Sequence, residues 1–125
     1  MISPSQKKTV IELANSEDAA VMAQFMATMA WETENLKLDI PYVTKAVEYL
    51  QESDFGDTLI SKTEGQPSAA LFLSYQNTDV WWIASVFVNK DFRGLGLFSQ
   101  LFEYTKAMAK SKGVKYLRLY VEVNN

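Results

Sequence analysis

The sequence predicts an α+β domain of three layers in the α/β manner: a mixed sheet, an antiparallel meander plus one parallel crossover, with helices on both faces. Three observations predict it. Apolar residues recur with period two or period 3.6 in separate runs, giving the order strand, two helices, three strands, helix, strand. Two turn segments, Glu64-Gly65-Gln66-Pro67 and Gln76-Asn77-Thr78-Asp79, join the three central strands into a meander. A helix then separates the last two strands, which allows them to lie parallel as a right-handed crossover.

Thr9-Val10-Ile11-Glu12-Leu13 reads as the first strand, and Asn15-Ser16-Glu17-Asp18 as the cap and acidic first turn of a helix. Val21, Met22, Phe25, Met26 and Met29 recur at three- and four-residue spacing, which marks a core-facing stripe, and the helix is expected to end near Trp31. Glu32 to Asp39 reads as a polar connector. Asp39 caps a second helix with Pro41 in its first turn, and Val43, Val47 and Leu50 form its buried stripe. Thr58 to Thr63 and Ser68 to Tyr75 form a hairpin, and Val80 to Val88 is the third strand of the meander. Strict alternation would place Trp82, Ala84, Val86 and Val88 on one face of that strand and Trp81, Ile83, Ser85 and Phe87 on the other. Both sets are largely apolar, as in a central strand covered on two sides. Leu97, Leu101, Tyr104 and Met108, with Phe98, Phe102 and Thr105 beside them, give the next helix a wide apolar face ending at Gly113. Tyr116 to Val121 is the last strand.

The 125 residues, 48% apolar and 13% aromatic, suffice for one domain with a core of its own, taken as residues 1–125. The chain contains neither cysteine nor histidine, so disulfides, a thiolate nucleophile, Cys/His zinc ligation and the usual neutral-pH proton shuttle are excluded, and no metal is expected. A net charge of −3 argues against non-specific nucleic-acid binding. Seven of the twelve basic residues, among them Lys90, Arg93 and Lys106, nevertheless fall in the last third, enough to balance one anionic ligand were it to bind there. No run approaches the length of a membrane span and Met1 to Lys8 lacks the apolar core of a signal peptide, so a cytoplasmic location is expected.

The segment with chemical content is Ser85-Val86-Phe87-Val88 followed, after polar linking residues, by Arg93-Gly94-Leu95-Gly96-Leu97-Phe98 at the mouth of the amphipathic helix. Glycine lets the backbone approach an oxyanion, and the first N–H groups of a helix lack partners and carry partial positive charge. A triphosphate loop would need Gly-Lys-Ser/Thr, which is absent. A dinucleotide fingerprint would need a third glycine where Ser99 stands.

The order of elements and the Arg-x-x-Gly-x-x motif resemble the GNAT superfamily of acyl-CoA-dependent N-acetyltransferases over nearly the whole chain. The resemblance implies acetyl-CoA as co-substrate. Backbone N–H groups from Arg93 through Gly94, Leu95, Gly96, Leu97 and Phe98 to Ser99 would hold its pyrophosphate. Val86, Phe87 and Val88 would pair with the pantetheine arm, one N–H near Phe87 or Val88 polarising the thioester carbonyl. Phe98 departs from the motif, which has Gly or Ala there, so its side chain must point away from the pyrophosphate. The implied reaction is transfer of an acetyl group to a primary amine, in a small molecule or a peptide, by direct attack in a ternary complex, since no cysteine exists to carry an acyl group. The amine must lose a proton, for which Glu32 and Glu34 in the connector are candidate bases and Ser85 a water-ordering group. The three tryptophans are weighed as pocket residues, Trp82 first because its face also carries Val86 and Val88.

In the family an Asn-initiated helix bearing a Tyr acid, and further strands, follow the last strand present here. The chain is therefore expected to be C-terminally short at Asn124-Asn125, with Tyr116 and Tyr120 on the preceding strand unable to inherit the acid's role. The alternative function is a truncated, catalytically impaired domain that binds acyl-CoA or a partner. A last strand left as an edge would also be open to pairing in a homodimer.

Overall fold

A computed structural model describes residues 8–119. The first strand, β1 (Thr9–Leu13), leads into a 3-10 turn with a reciprocal cap: the Asn15 side chain accepts from the Glu17 N–H at 2.9 Å while Asp18 accepts from the Asn15 N–H at 3.0 Å. That turn runs into α1 (Ala19–Glu34). Asp39 caps α2 (Ile40–Glu52) by accepting from the Tyr42 N–H at 3.2 Å, with Pro41 in the first turn, where its missing donor costs nothing. Strands β2 (Gly56–Thr63) and β3 (Gln66–Tyr75) meet at Glu64-Gly65, both with positive φ, as a two-residue hairpin turn matched to strand twist requires. They are followed by β4 (Val80–Val88), α3 (Leu97–Ser111) and β5 (Tyr116–Leu119).

The sheet order is β1-β2-β3-β4-β5, antiparallel throughout except for the parallel pair β4–β5 joined through α3. The α+β architecture expected from the sequence is the one observed. Two cores lie on opposite faces. On one, Leu59, Leu71, Leu73, Trp81 and Ile83 pack against Phe92, Leu97, Leu101 and Ala109 of α3 and the segment before it. On the other, Ile60, Ala70, Phe72 and Phe87 pack against Ala19 and Met22 of α1 and Val47 of α2. The methionine stripe is core packing, as its spacing implies: Met22 is fully buried and Met26 and Met29 are partly so.

Three features depart from the sequence reading. Helix α1 does not stop near Trp31 but continues to Glu34, so Glu32 and Glu34 are helical and not in a connector. Nothing from Trp31 to Glu34 opposes the helix, and Thr33 donates back to the Met29 carbonyl at 2.8 Å. Asn35 closes it at φ 54°, a left-handed conformation that Asn tolerates. Secondly, the alternation along β4 breaks at Ala84. Phe72 pairs with Ser85 but Leu73 with Ile83, leaving Ala84 without a partner on β3. This bulge reverses the phase, so Val86 and Val88 share the α3 face with Trp81 and Ile83, while Phe87 packs edge-on against Phe72 at 5.6 Å on the other. Trp82 therefore does not share a face with Val86 and Val88. Thirdly, Tyr104 is exposed, not part of the apolar face of α3. Tyr120, Val121, Asn124 and Asn125 lie outside the described residues.

Candidate functional site

The link from β4 to α3 is held at both ends. The Asn89 N–H donates to the Ser68 carbonyl at 2.8 Å, and its side chain accepts from the Asp91 N–H at 3.1 Å, starting a 3-10 turn (Lys90–Phe92). Phe92 and Leu97 are buried against the core and bracket the glycines between them. Gly94 and Gly96 stand at φ 84° and 75°, and a Cβ on either would meet nothing within 4 Å. The backbone is thus turned into the left-handed region where the space beside it is open, which glycine alone does without strain. Gly96 is the N-cap residue of α3, and no side chain caps the helix. Its first N–H groups carry the positive end of the helix dipole toward that space.

In front of this helix end lies a cleft of about 810 Å³. One wall is β4, through Ile83, Ala84, Ser85, Val86 and Val88; another is the last two turns of α1, through Met29, Glu32 and Thr33. Phe92, Arg93, Gly94, Gly96, Leu97 and Phe98 close the loop end, and Leu119 of β5 the other. Among the described residues, β5 pairs with β4 as far as Ile83↔Leu119. The bulge at Ala84 begins one residue beyond. The cleft therefore runs along the part of β4 that follows its described pairing with β5.

Among the described residues two charged side chains line the cleft, Glu32 and Arg93, and they face each other. Arg93 Nη2 donates to Glu32 Oε1 at 3.0 Å, and its Nε to the Val88 carbonyl at 3.4 Å. Phe98, 42% exposed, stacks on Phe102 at 6.2 Å with Lys106 over the Phe102 ring, so its side chain lies along the outside of α3.

Of the residues singled out from the sequence, Glu32, Ser85, Val86, Val88, Arg93, Gly94, Gly96, Leu97 and Phe98 meet in this cleft. Glu34 does not line it and is exposed at the end of α1. Phe87 and Leu95 have their side chains in or against the cores, and Ser99 lies beside a separate shallow depression with Gln100 and Tyr104. None of the tryptophans lines the cleft: Trp81 is buried in the α3-side core, and Trp31 borders another hollow with Leu36 and Leu38. Trp82 donates to Gln76 at 2.7 Å and stacks with Arg118. Met29, Thr33, Ile83, Ala84, Phe92 and Leu119 line the cleft without having been singled out. Met29, Glu32 and Thr33 do share one helix face at i, i+3, i+4 spacing, a signal that becomes visible once α1 is known to reach Glu34.

A family model described as "Acetyltransferase (GNAT) family" matches residues 23–125. No curated protein matches the chain in sequence. Among solved structures, a possible acetyltransferase from Clostridium difficile 630 is 31% identical with a TM-score of 0.83, covering 94% of this chain and 82% of that one. A ribosomal-protein-alanine N-acetyltransferase from Brucella melitensis biovar Abortus 2308 shares the fold at 18% identity and TM-score 0.73, over 93% of this chain and 81% of that one. An aminoglycoside N-acetyltransferase in complex with CoA does so at 16% identity and TM-score 0.76, over 98% and 82%. Among the described residues, no group of His, Cys, Asp and Glu side chains could hold a metal ion, and no helix is long and apolar enough to cross a membrane.

Proposed function

The chain belongs to the GNAT acetyltransferase family, and from that premise we propose that it transfers an acetyl group from acetyl-CoA to a primary amine by direct attack in a ternary complex. The observation that carries this reading is the uncapped N-terminus of α3, reached through two positive-φ glycines and opening on a cleft that runs along β4. Backbone N–H groups of Arg93 to Ser99 would hold the pyrophosphate, which explains why the side chains of Leu95 and Ser99 need not reach the cleft. The pantetheine arm would lie along Val88, Phe87 and Val86 as an added strand. Laid from the loop, it carries the thioester past Val88 toward Ser85 and the bulge at Ala84. A strand amide freed by the bulge is then better placed than that of Val88 to polarise the thioester carbonyl.

In the proposed reaction the amine nitrogen attacks the thioester carbonyl carbon, the C–S bond breaks, and the thiolate of coenzyme A leaves. The nitrogen must shed a proton before or during attack. Ser85 lines the cleft beside the bulge, and in this reading it would order the water that takes the proton. Glu32 supplies the cleft's carboxylate, while Glu34 lies off the cleft lining.

The test is release of free thiol from acetyl-CoA over a panel of small amines and amine-bearing peptides. Release with at least one amine is expected. Coenzyme binding with no release across the panel would instead favour an acyl-CoA-binding domain without turnover.

A further inference from the structure

The Glu32–Arg93 pair forms a partition as well as an ion pair. A second cavity of about 280 Å³ lies between α1 and the β4–α3 link, with Gln24, Thr28, Asn89 and Lys90 on its walls. Met29, Glu32, Val88 and Arg93 belong to both cavities. The Glu32 side chain is 38% exposed and that of Arg93 49%, so neither is locked in place by burial. Arg93 also stands at the start of the loop whose amides face the cleft, beside the position a pyrophosphate would take. Glu32 therefore already holds the cation that, among the described residues, lines the main cleft.

Resting on the coenzyme reading above, we propose that Glu32 is an internal stand-in for a coenzyme phosphate: it holds Arg93 until coenzyme A binds and must then yield it. A guanidinium at such a site favours the better of two competing anions, and a doubly substituted phosphate offers bidentate acceptors in place of one carboxylate oxygen. Glu32 thus lowers affinity for ligands that engage Arg93 and leaves others unaffected. When Arg93 turns to the phosphate, the partition between the two cavities opens and the Glu32 carboxylate is left facing the cleft. Glu32 is in this sense an affinity-setting residue, acting through Arg93.

The sign of the effect separates this role from simple structural support. An exposed ion pair of this kind is worth a factor of about two to five in an equilibrium. Glu32→Gln and Glu32→Ala should each tighten coenzyme A binding by about that factor, measured by isothermal titration calorimetry. Pantetheine, which lacks the pyrophosphate, should bind both variants as it binds the parent chain. Asp91→Asn removes a carboxylate that lines neither cavity and should change coenzyme affinity less than either Glu32 variant. Alanine is a strong helix former, so the end of α1 survives the substitution. Unchanged or weakened coenzyme binding in the Glu32 variants, equal tightening in Asp91→Asn, or tightening that extends to pantetheine overturns the proposal while leaving the coenzyme site standing. Binding by the Glu32 variants but not by the parent chain would support it in its strongest form. No binding of coenzyme A by any of them would overturn both readings.

Discussion

Replacement of Gly96 by Asp tests the proposed phosphate cradle most directly. Gly96 holds φ 75° at the N-cap of α3, and a Cβ there would enter open space with no heavy atom within 4 Å. The apo protein therefore loses only the backbone term, about 1–2 kcal/mol for an L-residue in the left-handed region. At about 2.1 cal/mol/K per residue the chain's unfolding entropy converts this to a melting temperature roughly 4–8 °C lower. Coenzyme A at a hundred times its dissociation constant would stabilise the parent chain by about 2.7 kcal/mol, a rise of about 10 °C. In the variant, a carboxylate about 4 Å from a phosphate charge at an effective dielectric constant of 20 costs about 4 kcal/mol per charge pair. That exceeds the whole binding term at this concentration, so the coenzyme-induced rise should vanish. Thermal melts of both proteins, with and without coenzyme A, check it; Gly96→Ala carries the same backbone cost without the charge and should keep more of the rise. A Gly96→Asp protein that still gains more than half of the parent's shift would refute the placement of the pyrophosphate at this helix end.

Two further outcomes bear on the scaffold. The Tyr75 hydroxyl donates to Asp57 at 2.6 Å, and burial, followed by the neighbouring carboxylate, pushes the phenol well above its ordinary value of 10. A raised folded-state value means that this stabilisation is fully present below about pH 10 and is lost as pH rises from there through the folded-state value. Tyr75→Phe should therefore cost about 1.5–3 kcal/mol near neutrality, and its denaturation midpoint should fall less steeply above pH 10 than that of the parent chain. Equal slopes in urea melts across that range would count against the linkage. Deletion of Ala84 removes the residue that has no partner on β3. With Ala84 gone, Leu73↔Ile83 and Phe72↔Ser85 become successive pairs and Val86 and Val88 keep the α3-side face, so the deletion should retain a cooperative melt by near-ultraviolet circular dichroism while removing the irregularity beside the cleft; loss of cooperative unfolding would show that the fold itself depends on the bulge.

Much of this architecture is written locally. Asn15 and Asp39 cap the turns and helices expected of them, Glu64-Gly65 makes the hairpin, and Gly113 follows the end of α3 at φ 75°. Such devices act within a few residues, so their identity and spacing suffice to place them. The turn from Arg93 to Phe98 was legible for the same reason, because two glycines followed by a helix start are enough to place it.

What the sequence determined by itself, then, is the order of the elements, the two-sided core of the sheet and the glycine-rich entrance to α3. Only the tertiary structure decided which side chains meet in the cleft. The bulge at Ala84 follows from the register that β3 imposes on β4, and it moves Val86 and Val88 to the face that simple alternation denies them. The Glu32–Arg93 contact joins residues 61 positions apart, and it exists because α1 runs far enough to bring its last turns over the loop. Periodicity carries information over one or two turns of helix or a few strand residues; pairing register and long-range charge contacts are settled by the packing of distant segments, which no local pattern encodes.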